Sequence, residues 1–349
     1  MRQIQKCRTP SVTFGVVLLC TLAAIASSLL AAGRETHARG LLLVVNKGDQ
    51  TLSIVDPESG RQLDTVAVGG VTGHEVAGSP DGRTAFVPIY GNSGVGLPGT
   101  DGKTISVIEL KSRARIASID LGEPSRPHCA VFGPKDGNLY VTTELTDSIK
   151  VIDPMTRAVI DSIPTGAPQS HMLAIASDGE RAYTSNVGAG TVSAIDLKRK
   201  KVLAIIPVAK TVQRIALSVD DRWIFTADQT KPELAAIDTH SNTVEVRVPL
   251  PALGYGITPT HDGRRLLVAH PSADSVSILD LKSMKVEHVI RVPADPQEIV
   301  VQPDDRVAYV SCDKSKQVVA IELPEGKIEK RIDVGAGADG MAWVSTGTH

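Results

Sequence analysis

One spacing constrains this chain more than any other feature. An acidic residue closing a short apolar run recurs at Asp56, Glu109, Asp153, Asp196, Asp238, Asp280 and Glu322. The steps are about 42–44 residues after a first step of about 53, a period typical of four-stranded propeller blades. A turn acid keeps the same beat at Asp81, Asp136, Asp178, Asp220, Asp262 and Asp304. The stretch from Gly133 to Gly166 shows one full unit. It predicts strands over Leu139–Thr143, Ser148–Asp153 and Ala158–Pro164, each rich in β-branched or aromatic residues and separated by Gly, Pro, Asp or Asn. A further short strand precedes each turn acid, beginning at His74, His128, His171, Arg214, Tyr255, Glu298 and Gly340. Four strand types in seven copies predict an all-β, seven-bladed β-propeller with four antiparallel strands per blade.

The first strand of the repeated region, from Leu41, is of the second type. Its blade therefore lacks an innermost strand, which the segment from Gly340 to Ser345 is expected to supply, closing the ring between the two ends of the chain. With aromatics at 3% of the 349 residues, the core must be aliphatic, which suits strands buried between stacked sheets.

Residues 1–38 read as a targeting segment: Arg2, Lys6 and Arg8, then an apolar run from Val12 to Leu30, then small residues around Ala31–Gly33 and Thr36–Ala38. A cleaved signal peptide and an uncleaved anchor both fit, and either way residues 39–349 form an exported, periplasmic or secreted propeller domain. A formal charge of −2 argues against nucleic acid as a partner. The run Lys198–Lys201 reads as a solvated hairpin tip. Cys129 and Cys312 fall in separated blades, so no disulfide is expected. A propeller that closes on itself needs no second copy, and a monomer is expected.

The segments LYVTTELTDSIKVID, AYTSNVGAGTVSAID and AYVSCDKSKQVVAIE resemble the YVTN-type, YncE-like β-propeller repeat, close to "YVTN…VSVID". The resemblance spans essentially the whole region after residue 38. It implies a secreted or periplasmic propeller, from a broad group that includes binding proteins, surface-layer components, lactone hydrolases and propeller domains of redox enzymes. One departure from the plain repeat is a Gly- and Pro-rich insertion at 90–103, on the face where second and third strands join.

Equivalent positions converge on a propeller axis, so the starts of the inner strands are the candidate site. His74, His128 and His171, with Glu144, form a candidate set for one transition metal ion, Zn, Cu or Fe. With an open position, such an ion would polarise a lactone-like carbonyl. Arg214, Tyr255 and Glu298, with Asn186, Asp228 and His270 at second-strand ends, form a candidate ligand-binding arc. There is no Gly-x-Ser-x-Gly nucleophile, no Cys-x-x-Cys-His and no calcium loop. Two functions stay open: a binding or interaction protein taking a small molecule or protein at the top face, and a metal-dependent hydrolase or lyase.

Overall fold

The computed structural model describes residue 1 and residues 40–323 and 325–346. The leader predicted at 1–38 lies outside the described residues apart from Met1. Seven four-stranded antiparallel sheets follow one another along the chain. Blade 1 contains Ala338–Ser345, Gly40–Asn46, Thr51–Asp56 and Arg61–Ala67, from the axis outward, so the C-terminal strand does supply the missing inner edge. Blade 2 runs from Ala77–Gly78 to Ala114–Asp120, blade 3 from Pro127–Phe132 to Ala158–Pro164 and blade 4 from Ser170–Ile175 to Lys201–Pro207. Blade 5 runs from Ala216–Leu217 to Thr243–Pro249, blade 6 from Ile257–Pro259 to Lys285–Arg291 and blade 7 from Pro296–Val301 to Lys327–Asp333. The three strands predicted in blade 3 begin and end where the sequence places them.

Burial follows position within the blade. Second and third strands are covered on both faces, as in Leu139–Thr143, whose five residues are all buried. Outer strands alternate, as in Lys201–Pro207, because only one of their faces meets a neighbouring blade. Ring closure is also made by packing: Leu42, Val44, Val55 and Met341 of blade 1 share one apolar cluster with Tyr309, Val318 and Ile332 of blade 7. Tyr309 and Trp343 stack across that junction with ring centroids 6.0 Å apart.

The turn acids, and the aspartates among the strand-end acids, prove to be turn devices. Asp153 Oδ1 accepts the Met155 and Thr156 N–H groups, and Asp238 Oδ1 does the same for His240 and Ser241. In the inner turns Asp178 accepts the Glu180 N–H, and Asp262 that of Arg264. In the hairpin tip at 198–201, Arg199 pairs with Asp196 and Lys200 with Asp161. Cys129 and Cys312 are free and buried.

Candidate functional site

The inner strands present two successive residues each towards the axis. Pairing with the second strands sets the register: Ala130 lies opposite Val141, Leu173 opposite Thr184, Ile299 opposite Val310 and Met341 opposite Val44. His128, His171, Gln297 and Asp339 therefore occupy one position, and Cys129, Met172, Glu298 and Gly340 the next. By the pairings Ala77–Phe86, Ala216–Phe225 and Ile257–Val268, His74, Gln213 and Tyr255 join the first tier, and Glu75 and Arg214 the second. The sequence-based alignment put Arg214, Glu298 and Gly340 level with the histidines, so it is one residue out in three blades. The reason is local: Gln213-Arg214 and Gln297-Glu298 are polar pairs without alternation, and irregularities interrupt the inner pairing at Val44/Asn46 in blade 1 and Pro296/Ile299 in blade 7.

Arg214 is the hub. Its Nη1 lies 2.6 Å from Glu75 and 2.5 Å from Glu298, and its Nη2 lies 3.3 Å from Asp339. Blades 5, 2, 7 and 1 thus meet at one guanidinium, which also sits 4.9 Å from the Tyr255 ring centroid. The side chain is only 3% exposed. Burial pushes the Glu75 carboxyl up to about 8, against the opposing pull of Arg214, and raises Glu298 as well. Lys47 lies 2.7 Å from Asp313 and 3.4 Å from Asp339. Burial opposes its charge, but Asp339 and Asp313 more than compensate and raise its ammonium above the ordinary range. Gly340 makes room for this assembly, since a Cβ there would stand 2.4 Å from the His74 carbonyl and 2.5 Å from a Glu75 carboxylate oxygen.

The three histidines do come together, around a residue that sequence reasoning did not single out. Tyr90, the first residue of the predicted insertion, lies 5.0, 5.3 and 6.2 Å from the His74, His128 and His171 rings. The His128 and His171 rings lie 3.6 Å apart, tilted by 33°, while His74 stands 5.4 Å from His128. Burial holds all three imidazoles below their usual range, His128 and His171 far below, so they are neutral at pH 7. His74 Nδ1 faces Asp339 at 3.5 Å. His171 Nε2 lies 3.1 Å from Gln213 Nε2. His128 Nδ1, His171 Nδ1 and Arg214 Nε are buried without a hydrogen-bond partner.

Glu144, expected beside the histidines as a metal ligand, is engaged elsewhere. It accepts the Tyr90 hydroxyl and the Gly96 N–H, and lies 3.1 Å from Arg126 Nη1. Arg126 in turn binds Asp101 and the Leu97 carbonyl, each at 2.6 Å. The insertion is therefore strapped to a buried Arg126–Glu144 pair at the edge of blade 3 through Gly96, Leu97 and Asp101, and the same pair holds Tyr90 against the imidazoles. Its neck requires Gly102, where a Cβ would stand 1.7 Å from the Ile89 carbonyl oxygen.

The second-strand ends belong to their own blades. Asn186 bonds Thr191, Ser193 and Ser170, as Asn46 bonds Thr51 and Ser53 in blade 1. Asp228 caps the Thr230 N–H, and His270 joins Ser277 to the Leu253 carbonyl. All three are expected in the ligand-binding arc; each makes hydrogen bonds within its own blade or the adjoining loop. Among the described residues no group of three or more His, Cys, Asp or Glu is placed to hold a metal ion. Two imidazoles sharing one ion, each with a nitrogen about 2 Å from it, have ring centroids roughly 4.5–5.5 Å apart. The His128–His171 pair is closer than that.

Glu75, Lys47, Tyr90, Arg126 and Gln213 escaped sequence reading because none recurs from blade to blade. The available signal was the opposite one: a charged residue inside an otherwise apolar inner strand, as with Glu75 before Val76-Ala77.

A family model described as outer membrane protein assembly factor BamB matches residues 188–345. No curated protein matches the chain. Several solved structures share the fold. Hydrazine synthase from Kuenenia stuttgartiensis has a TM-score of 0.67 at 18% identity, covering 83% of this chain and 97% of its own. The dihydro-heme d1 dehydrogenase NirN has a TM-score of 0.65 at 14% identity, covering 90% of this chain and 77% of its own. A functionally unknown protein from Desulfotomaculum acetoxidans has a TM-score of 0.71 at 15% identity, covering 87% and 98%. At these identities the likeness is one of fold.

Proposed function

We propose that this chain is an exported propeller of the YVTN-type repeat group that binds a small molecule at the head of its central channel. One observation carries the reading. Three buried polar atoms on adjacent blades, His128 Nδ1, His171 Nδ1 and Arg214 Nε, lack hydrogen-bond partners beside an axis where Glu75, Glu298, Asp339 and Gln213 are engaged. A buried polar atom left unpaired costs about 1–3 kcal/mol, and ordered water or a ligand removes that cost. Export rests on the leader pattern at 1–38, and the partial match to an outer membrane assembly factor agrees with it.

The metal-dependent hydrolase is the second reading, favoured by three neutral imidazoles on successive blades. It requires the His128–His171 pair to open, with a ligand set that does not include Glu144. Elemental analysis of protein purified without chelators or a histidine tag separates the two, run beside a thermal-shift screen of small solutes on wild type and His128→Ala. Binding without metal predicts far less than one transition metal per chain, and a solute that stabilises wild type but not the variant. One metal per chain, lost in His128→Ala, would overturn it in favour of the hydrolase.

A further inference from the structure

The unpaired atoms define the chemistry of what they accept. An arginine Nε always carries a hydrogen and only donates. Gln213 presents its amide nitrogen to His171 Nε2 at 3.1 Å, so that ring nitrogen accepts and the imidazole proton sits on the unpartnered Nδ1. Two of the three unpaired atoms are therefore donors, and His128 Nδ1 beside them takes either role.

Charge narrows the class further. Arg214 and Lys47 are the cations of this centre, and Glu75, Glu298, Asp339 and Asp313 are the carboxylates around them. Even with a proton on Glu75, carboxylates outnumber cations by three to two, and an entering anion meets surplus negative charge. Arg214 already has its Nη atoms engaged by protein carboxylates, so they are not free for a ligand carboxylate or phosphate. An ammonium group fails at the donors themselves, because it has no lone pair for the two N–H groups and would stand against the Arg214 guanidinium.

We infer that the ligand is an uncharged, oxygen-rich molecule, a polyol or a neutral carbonyl compound, received by His171 Nδ1–H, Arg214 Nε–H and His128. This rests on the binding function proposed above. Tyr90 and Tyr255 supply ring faces for its carbon skeleton. A crevice of about 500 Å³ opens beside His74, between Lys47–Gln50 and the start of the insertion, and in this proposal it is the entrance. Its wall carries the Asn92 amide and the buried, unpartnered Ser93 hydroxyl.

The test uses probes on one carbon frame in three charge states: D-sorbitol, D-gluconate and N-methyl-D-glucamine, with myo-inositol as a cyclic neutral probe. Protein labelled with ¹⁵N-histidine is titrated with each and followed by long-range ¹H–¹⁵N spectra. His171 is expected to show the Nδ1–H tautomer. A neutral probe should move the His128 and His171 ring signals at concentrations at least tenfold below gluconate, and N-methyl-D-glucamine should bind no more tightly than sorbitol. Gln213→Met, on a half-buried side chain, should weaken neutral binding roughly tenfold with an unchanged melt. Ser93→Ala should weaken it without altering the tautomer. An Nε2–H tautomer, equal or tighter binding of gluconate, or no shift with any probe overturns the proposal. A metal ion in the purified protein would instead sink the metal-free binding function on which it stands.

Discussion

Replacing Arg214 with methionine tests whether the axis is held by charge. The change keeps most of the side-chain volume and removes the cation that Glu75, Glu298 and Asp339 share. These side chains are 8%, 15% and 3% exposed. Stripping one partner from a buried ion pair costs about 3–5 kcal/mol, because the remaining charge stays desolvated. For a domain of about 300 residues, with an unfolding entropy of roughly 2 cal/mol/K per residue, that lowers Tm by roughly 5–8 °C. The loss should depend on pH. Glu75 is raised in the folded protein from 4.5 to about 8, so the stability its bound proton confers is complete below pH 4.5 and is lost as pH rises through 8. Without Arg214 the carboxylates hold their protons more tightly still, so the variant should fall further behind wild type at pH 8.5 than at pH 5. The neutral imidazoles act in the other direction. His128 and His171, lowered in the fold chiefly by burial and in part by Arg214, stabilise it above pH 6.5 and lose that contribution as pH falls, by less in the variant than in wild type, which narrows the gap at pH 5 further. Calorimetric melts of both proteins from pH 5 to pH 8.5 decide the matter, with Arg214→Met/Glu298→Gln expected to recover part of the loss. A drop below about 2 °C, or one that does not vary with pH, would refute the reasoning.

Two further outcomes follow from the ring and its insertion. Glu144→Ala leaves Arg126 buried without its inner carboxylate and frees the Tyr90 hydroxyl. It should cost about 3–5 kcal/mol and expose residues 92–100 to limited proteolysis, mapped by mass spectrometry; an insertion as resistant as in wild type would show that the strap is dispensable. Ending the chain at Gly335 removes the inner strand of blade 1 together with Met341 and Trp343, and should abolish a cooperative melt. An unchanged Tm would sink closure as the source of ring stability.

The architecture could be read from the chain because a blade is a local unit. Asp153 and its six counterparts mark turns whose geometry depends on neighbours two and three residues away, and the period of about 42 residues counts the units. Ring closure was readable too, since a repeat that starts on its second strand must find the first elsewhere. The convergence of His74, His128 and His171 followed from that count.

What the repeat could not supply is the arrangement at the axis, where blades meet residues far away in sequence. Arg214 meets Glu75 across 139 residues and Asp339 across 125, and no periodic signal links these side chains. Only the fold decided that Glu298 faces Arg214 one tier below the histidines, that Glu144 binds the insertion and leaves the imidazoles free of it, and that Asn186 and His270 turn back into their own sheets. Strand pattern and turn chemistry are properties of a few consecutive residues, and the sequence by itself determined them. The charge balance and unpaired donors at the channel head depend on which distant side chains share one buried volume, and that is set by the ring.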